Sequence, residues 1–451
     1  MSDHSATHFA GVSRARTEAL LAAERERFAA VPPRSRDLAE ASRLHWWSGV
    51  PLHWMLDWGT PFPLFVAKAE GATLTDVDGH AYADFCFGDT GSMFGHSPAP
   101  VVEAIQRQAA RGLTSMLPSA DAAEAARRLA ATFGLPLWQM TATASDANRS
   151  VLRWCRGITG RPKVLVFQGC YHGQVDETVA ELGGNGETRP RPTLIGQALD
   201  VAASTVVVEF NALAALEAAL ARGDVACVLA EPALTNCSMV LPEPGYHAAL
   251  RRLTRQYGSL LIIDETHSVS TAWGGYTRAQ GLEPDFFVVG KAVAGGLPCA
   301  VYGFTAVIGE AMHRVSRSRP SGYSGMGTTL SGNPLALAAL RANLSQVMTP
   351  ASYDHMLSLS KVMAEGLQAS IERHGLPWHV VHLGARAEFV FAPRPLRNGS
   401  EAMGLVHGPL ELAVHLYLLN RGVLVTPFHN MLLVSPATQP QDVRRLLESF
   451  D

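Results

Sequence analysis

Two short segments in the middle of the chain hold residue types that could do chemistry together. Leu260-Leu261-Ile262-Ile263 runs into Asp264-Glu265-Thr266-His267, and Phe286-Phe287-Val288-Val289 runs into Gly290-Lys291. Each apolar run is too short for a helix and reads as a strand buried on both faces of a parallel sheet. In an open α/β sheet the ligand crevice lies at the carboxyl ends of such strands, where Asp264 and Lys291 would stand. A single carboxylate or amine at a strand end is ordinarily a solvated terminus. As a pair they suit one chemistry: the amine condenses with an aldehyde to a Schiff base, and the carboxylate keeps a pyridine nitrogen protonated so that the ring acts as an electron sink. Those are the needs of pyridoxal phosphate.

Further segments could complete such a site. Thr141-Ala142-Thr143-Ala144-Ser145-Asp146-Ala147-Asn148 places small and hydroxyl residues at the opening of a helix, where free N–H groups and the helix dipole suit a phosphate. Tyr171-His172-Gly173 follows an expected strand at 164–167, and an aromatic there can stack on a flat ring. Glu231-Pro232 ends an expected strand at 225–230. Gly327-Thr328-Thr329-Leu330-Ser331-Gly332-Asn333-Pro334 is a hydroxyl-rich turn ahead of a helix and a second candidate for phosphate oxygens.

The elements that must position these residues alternate. From about 140 to 305, helices near 146–158, from 211 and at 246–257 are interleaved with strands at 164–167, 206–209, 225–230, 260–263, 286–289 and 300–304. This predicts a mostly parallel sheet with helices on both faces. Upstream, a helix over about 13–30 with Ser13 as N-cap stops at Val31-Pro32-Pro33. An aromatic segment with Trp46, Trp47, Trp54 and Trp58 follows, which cannot be a regular helix and whose rings need burying at a pocket mouth or a partner subunit. Alternating residues over 64–87 predict a hairpin turning at Asp78-Gly79. Ser97 with Pro98, and Ser119, read as the starts of two helices ending at Gly112 and Gly134. Beyond Pro334 come helices near 335–347 and 353–373, strands near 378–391, a helix near 409–421, a strand near 423–426 and a helix near 440–450. The expected organisation is an N-terminal helix and aromatic segment (1–60), a small discontinuous α+β domain (61–95 with 335–451) and a large cofactor-binding domain (96–334).

Composition bounds the function. The 451 residues are 47% hydrophobic and 17% charged, with a net charge of -3, which gives a sizeable core and no electrostatic footprint for nucleic acid or anionic membrane. The six cysteines include no C-x-x-C pair, so neither a metal site nor a disulfide framework is expected. They read as reduced thiols in a cytoplasmic enzyme. No apolar run reaches membrane-spanning length, and the polar start MSDHSATHF has no signal-peptide core.

Taken in order, DETH…GKAVAGG, YHG, EP and TLSGNP resemble the class III pyridoxal-phosphate-dependent aminotransferases of fold type I, in particular their glutamate-1-semialdehyde aminomutase-like branch. The likeness runs from about Pro61 to the C-terminus. It implies that Lys291 is the Schiff-base lysine and proton shuttle, and that Asp264 is the partner of the pyridine nitrogen. Tyr171 would stack on the ring, Thr266 would support the opposite face, and His267 would stand near the ring hydroxyl, with His172 and Glu231 in the same cofactor shell. Thr143, Ala144 and Ser145 match the phosphate loop, although Ala144 replaces a glycine and Asp146 a glutamate; the first is tolerable at negative φ. Thr329 matches a threonine that reaches the neighbouring subunit's phosphate, which implies a homodimer that could pair further. In the substrate pocket, Trp54 stands where relatives carry a carboxylate-clamping arginine and Asp89 where aminomutases carry a tryptophan; Arg386 is another basic candidate for a carboxylate. Losing an arginine fork removes bidentate recognition.

The reading favours an aminotransferase that takes an amino group from an amine or amino acid to a 2-oxo acid or other carbonyl acceptor. The alternatives are an intramolecular aminomutase and, further off, a decarboxylase or a non-catalytic cofactor-binding regulator. Its partners are small amine and oxo-acid substrates and a second copy of itself.

Overall fold

The computed structural model describes residues 8–405, 408–426 and 429–451; most of the polar N-terminal stretch read for a leader lies outside them. The chain forms two compact units: one of residues 99–350 with 396–404, the other of 1–98, 351–395 and 405–451. Both differ from the expected division. The N-terminal 60 residues belong to the second unit, because the helix Arg14–Ala30 packs its Leu21 and Phe28 into a cluster with Ala413 and Leu416 of the helix Gly408–Leu419. The helix Pro334–Ala342 belongs to the first, packed on the helices Ala99–Ala109 and Asp121–Phe133.

The first unit is built on seven strands: β1 (Leu137–Thr141), β2 (Lys163–Phe167), β3 (Thr205–Val208), β4 (Val225–Ala230), β5 (Leu260–Asp264), β6 (Phe286–Val289) and β7 (Ala300–Phe304), in the spatial order β3-β2-β4-β5-β6-β7-β1. Only β7 runs antiparallel to its neighbours, so β1 points the same way as the rest. Every side chain of β4 and of β6 is buried, as helices on both faces require and as their unbroken apolar sequences foretold. β1 was missed: its burial alternates with exposure and Leu137 is exposed, so it reads as a loop rather than as a buried run. The helix Ala306–Arg317 was missed as well.

The second unit has a four-stranded sheet in the order Val423–Leu424, Ala81–Asp84, Thr73–Asp76, Val66–Glu70, and an antiparallel three-stranded sheet of His379–Leu383, Arg386–Val390 and Met431–Leu433. The expected hairpin is there, with Gly79 at φ +93 in its turn, but a second turn at Gly71 makes it a three-stranded meander.

Local capping was read less well than periodicity. Ser13 stands at the N-cap of Arg14–Ala30 without a side-chain cap bond. Ser97 gives its hydroxyl to the Ala69 carbonyl at 3.2 Å, and Ala120 rather than Ser119 holds the cap position of Asp121–Phe133. The prolines after Ala30 end one helix and open another, Pro33–Ser42, with proline in its first turn. The aromatic segment is two short 3₁₀ turns, Trp47–Gly49 and His53–Leu56. Among the described residues no helix is long and apolar enough to cross a membrane.

Candidate active site

The parallel strands deliver their carboxyl ends to one edge of the sheet, and most of the side chains singled out from sequence meet there. Asp264, at the end of β5, is 4% exposed. Its Oδ2 accepts the Asn148 amide at 2.9 Å and lies 2.9 Å from His172 Nδ1; its Oδ1 accepts the backbone N–H and the hydroxyl of Thr266 at 3.0 and 2.6 Å. Four donors on two oxygens define an ionised carboxylate. Burial works against that charge, but His172, Thr266 and Asn148 outweigh it and hold the group down to about 2. Burial also works against a charged His172, yet the Cys170 sulfur and the Asp264 carboxylate push it up to about 10. The pair is therefore an imidazolium and a carboxylate at neutral pH. His172 Nε2 is buried with no partner among the described residues.

Lys291 follows β6 and is held in the left-handed region, with φ 49°. A non-glycine residue held in the left-handed region costs about 1–3 kcal/mol, and such residues gather at functional sites. Gly290 makes the approach possible, since a Cβ there would stand 2.9 Å from Ala144 Cβ and 3.2 Å from Ala300 Cβ. Lys291 Nζ contacts His267 Nε2. His267 Nδ1 lies 2.9 Å from the Thr235 hydroxyl, and that hydroxyl donates to Glu231 Oε2. Glu231 is 4% exposed, its other oxygen accepts the Tyr171 N–H at 3.4 Å, and burial pushes its carboxyl up.

The helix Ala144–Thr159 starts beside these strand ends. Thr143 is its N-cap, accepting the Asp146 N–H at 3.2 Å and donating to the Asp146 carboxylate at 2.8 Å. Asp146 thus belongs to the cap, which is why a shorter acid suits the position. Ala144 is the first helical residue and is not among the left-handed residues, so the condition set for replacing glycine there is met. Ser145 Oγ accepts the Gln174 N–H at 3.0 Å. Gly173, at φ +83, is required, because a Cβ would fall 2.1 Å from that oxygen. Tyr171 is 48% exposed. Thr329 is exposed in the turn ahead of Pro334–Ala342, a helix capped by Asn333.

The chemistry of this donor set fits pyridoxal phosphate. A constrained lysine, an ionised buried carboxylate, an exposed aromatic ring and a helix N-terminus closed upon by two glycines come together at the edge where the cofactor's parts would need them. Sequence reading named Asn148 only as part of the helix opening, without its bond to Asp264, and missed Thr235. Asn148 lies one helical turn beyond Ser145 and so on the same face. Thr235 lies four residues past Glu231, fixed by mutual backbone bonds between Leu234 and Val240 at 3.0 Å; neither carries a sequence signal of its own.

The three residues expected in the substrate pocket belong to the other unit. Trp54 is 40% exposed in its 3₁₀ turn. Asp89 sits in a run of four left-handed residues, Phe87, Gly88, Asp89 and Thr90, a concentration of strain comparable to that at Lys291. Arg386 is 1% exposed and donates to the Thr90 hydroxyl at 2.6 Å. Nearby, Glu388 Oε1 is 2.8 Å from His429 Nδ1. Burial opposes a charge on His429; Glu388 and Asp89 favour it and Arg386 resists it, with a net upward shift.

Known proteins resemble this chain along most of its length. Residues 55–449 match the family model for class-III aminotransferases. A glutamate-1-semialdehyde 2,1-aminomutase of Desulfitobacterium hafniense is 34% identical over 393 residues, covering 86% of this chain and 89% of that protein. A lysine-to-alanine variant of a glutamate-1-semialdehyde-aminomutase from Pseudomonas aeruginosa PAO1, solved in complex with PMP, superposes with a TM-score of 0.95 at 48% identity, covering 98% of both chains. A β-phenylalanine aminotransferase from Variovorax paradoxus superposes with a TM-score of 0.85 at 26% identity over 96% of both chains.

Proposed function

Because this chain belongs to the class III aminotransferase family and its cofactor is pyridoxal phosphate, we propose that it moves an amino group within one small carbonyl-bearing amino acid, as an intramolecular aminomutase of the glutamate-1-semialdehyde type. The observation that carries this reading is the extent of the likeness: aminomutase-named proteins match along almost the whole chain at 34% and 48% identity, against 26% for the β-phenylalanine aminotransferase. It reverses the preference drawn from sequence, which rested on two substitutions.

In this reading Lys291 holds the cofactor covalently. The N–H groups of Ala144 and Ser145, the Ser145 hydroxyl and Thr143 hold its phosphate, joined by Thr329 of the partner subunit. Asp264 would pair with the ring nitrogen, and Tyr171, Thr266, His172, His267 and Glu231 would help to hold the ring. Bound there, pyridoxal phosphate supplies an aldehyde for amines and a ring that takes up electrons from an adjacent carbon. The chain supplies the fixed field. Asp264 stays negative because His172 balances it, and both are buried, where such a charge acts strongly and needs no reorganisation. Lys291 would take the proton from the substrate carbon that bears the amino group and give it back where the reaction needs it.

The test is turnover of glutamate 1-semialdehyde by the holoenzyme with no added acceptor. Transfer of the amino group from C2 to C1 without a second substrate supports the proposal. A second reading, transamination between separate molecules, is favoured by Trp54 and by Asp89 in its strained loop. It predicts no turnover of the semialdehyde alone, loss of the visible cofactor band with a simple amine, and its return with pyruvate. The exposed Trp46, Trp47 and Leu44, at 53%, 78% and 77%, support a homodimer in either case, since rings of that size are rarely left in water.

A further inference from the structure

Lys291 has to be a neutral amine to attack a carbonyl and an ammonium to return a proton, and the side chains directly behind it are closed to bulk water. Four side chains lie in one hydrogen-bonded line behind it: Lys291 Nζ on His267 Nε2, His267 Nδ1 on the Thr235 hydroxyl at 2.9 Å, and that hydroxyl on Glu231 Oε2. Thr235 is 0% exposed, Glu231 4% and His267 5%. We propose that Glu231, Thr235 and His267 form a proton relay serving Lys291, with Glu231 as the proton store.

The line has two self-consistent arrangements. In the first, Glu231 is a carboxylate and accepts the Thr235 hydroxyl proton, the Thr235 oxygen accepts the His267 Nδ1 proton, and the Nε2 lone pair accepts a proton from the Lys291 ammonium. In the second, every proton has moved one place along. The ammonium proton is on Nε2, the former Nδ1 proton is on the Thr235 oxygen, and the former Thr235 proton makes Glu231 a neutral carboxyl. The net change is one proton from Lys291 to Glu231. Every bond broken has its counterpart formed, and His267 only changes tautomer.

Burial raises the Glu231 carboxyl toward the neutral form, so the second arrangement is not closed off by a strongly acidic store. Of the charged groups acting on Glu231, His172 favours its anion and Asp264, with a smaller effect, disfavours it. The Asn236 amide lies 3.4 Å from both His267 Nδ1 and the Thr235 oxygen. It would supply a donor to Nδ1 if Thr235 were lost, which fixes the direction of the test below.

The proposal rests on Lys291 being the reacting amine, and the experiment separates the two ideas. Histidine tautomers are read by ¹⁵N NMR in apoenzyme with labelled histidine, and Lys291 is trapped with formaldehyde and cyanoborohydride at fixed neutral pH, followed by peptide mapping. In wild type His267 should carry its proton on Nδ1. Thr235→Val, equal in shape but without the hydroxyl, should move it to Nε2, aimed at Lys291, and speed trapping of the amine by about fivefold or more. Thr235→Ser should restore both readings, and Glu231→Gln should shift trapping in the same direction as Thr235→Val. If His267 keeps its tautomer and Lys291 its trapping rate in Thr235→Val, the relay is refuted, whatever the cofactor does. If borohydride instead finds the cofactor on another lysine, the assignment of Lys291 falls while the tautomer result stands by itself.

Discussion

Replacing Asp264 by asparagine should do more damage than loss of one charge suggests, and the geometry says why. All four contacts to its carboxylate come from donors: Asn148 Nδ2, His172 Nδ1, and the N–H and hydroxyl of Thr266. An asparagine has one acceptor oxygen. Whichever way its amide is turned, its NH₂ faces two donors at hydrogen-bond distance. Thr266 N–H cannot yield, and Asn148 would have to abandon its 3.1 Å bond to the His172 carbonyl to turn. His172 can yield only by giving up its proton. Removing one partner of a buried ion pair costs about 3–5 kcal/mol, and a buried unpaired donor about 1–3 kcal/mol more, part of which deprotonation of His172 relieves. The expected loss is therefore about 3–5 kcal/mol, with cofactor-dependent turnover down by orders of magnitude. The pH dependence identifies the cause. Asp264 lies below its ordinary value, at about 2, so its contribution is complete above about 4 and disappears as pH falls through 2. His172 lies above its ordinary value, at about 10, so its contribution is complete below 6.5 and disappears as pH rises through 10. The gap between wild type and Asp264→Asn, from urea denaturation of apoenzyme followed by tryptophan fluorescence, should be widest from about pH 4 to 6.5 and shrink steadily above that. A gap below about 1 kcal/mol, or one that is flat with pH, would refute the paired-charge account.

Other perturbations probe the surrounding parts. Gly173→Ala puts a Cβ 2.1 Å from Ser145 Oγ at a φ of +83 and should lower stability by about 1–3 kcal/mol and weaken cofactor retention on dialysis; unchanged retention would remove Ser145 from the phosphate site. Lys291→Ala should abolish turnover while leaving the cofactor dialysable but bound, and relieve the left-handed strain less than a glycine would. If Trp54 and Asp89 set specificity, Trp54→Arg with Asp89→Ala should raise kcat/KM for carboxylate-bearing donors over a simple aryl amine by roughly a hundredfold. No change in that ratio would leave the distal carboxylate to other residues.

How far the sequence carried the reading depended on the physical signal each feature leaves. The strands that hold Asp264, Lys291 and Glu231 announce themselves because both faces are covered, so nearly every residue must be apolar. β1 and Met431–Leu433 leave weaker marks, the first because its faces differ in exposure and the second because it is only three residues long. Serines make poor evidence for helix starts here, since Ser97 and Ser119 have hydroxyls committed elsewhere or not used in a cap. The residues that gather at the strand ends are legible as motifs, whereas the bonds of Asn148 and Thr235 become visible only when two distant segments are brought together. Function was read less well than fold. Trp54 and Asp89 were weighed as if a pocket's specificity rested on two positions, and similarity along the whole chain weighs against that.

Three buried carboxylates at the ends of β4 and β5 show how the same chemical group is given different work. Asp264 is held ionised, at about 2, because a charged histidine and three further donors meet it. Glu265, its neighbour in sequence, is pushed up to about 7 by burial that its donors only partly offset. Its oxygens take the backbone N–H groups of Tyr276 and Thr277 and the Ser268 hydroxyl, so it ties down the loop that follows β5. Glu231 is raised too, but its partner is a hydroxyl that leads through His267 to Lys291. Where environments drive like groups apart, acid and base roles follow from the separation. A carboxylate that cannot easily be protonated is suited to hold a pyridinium, and one that can is suited to store a proton. His172 reaches Asp264 through a hydrogen bond and Glu231 only through its field, and it favours the anion of both, against the burial that raises each.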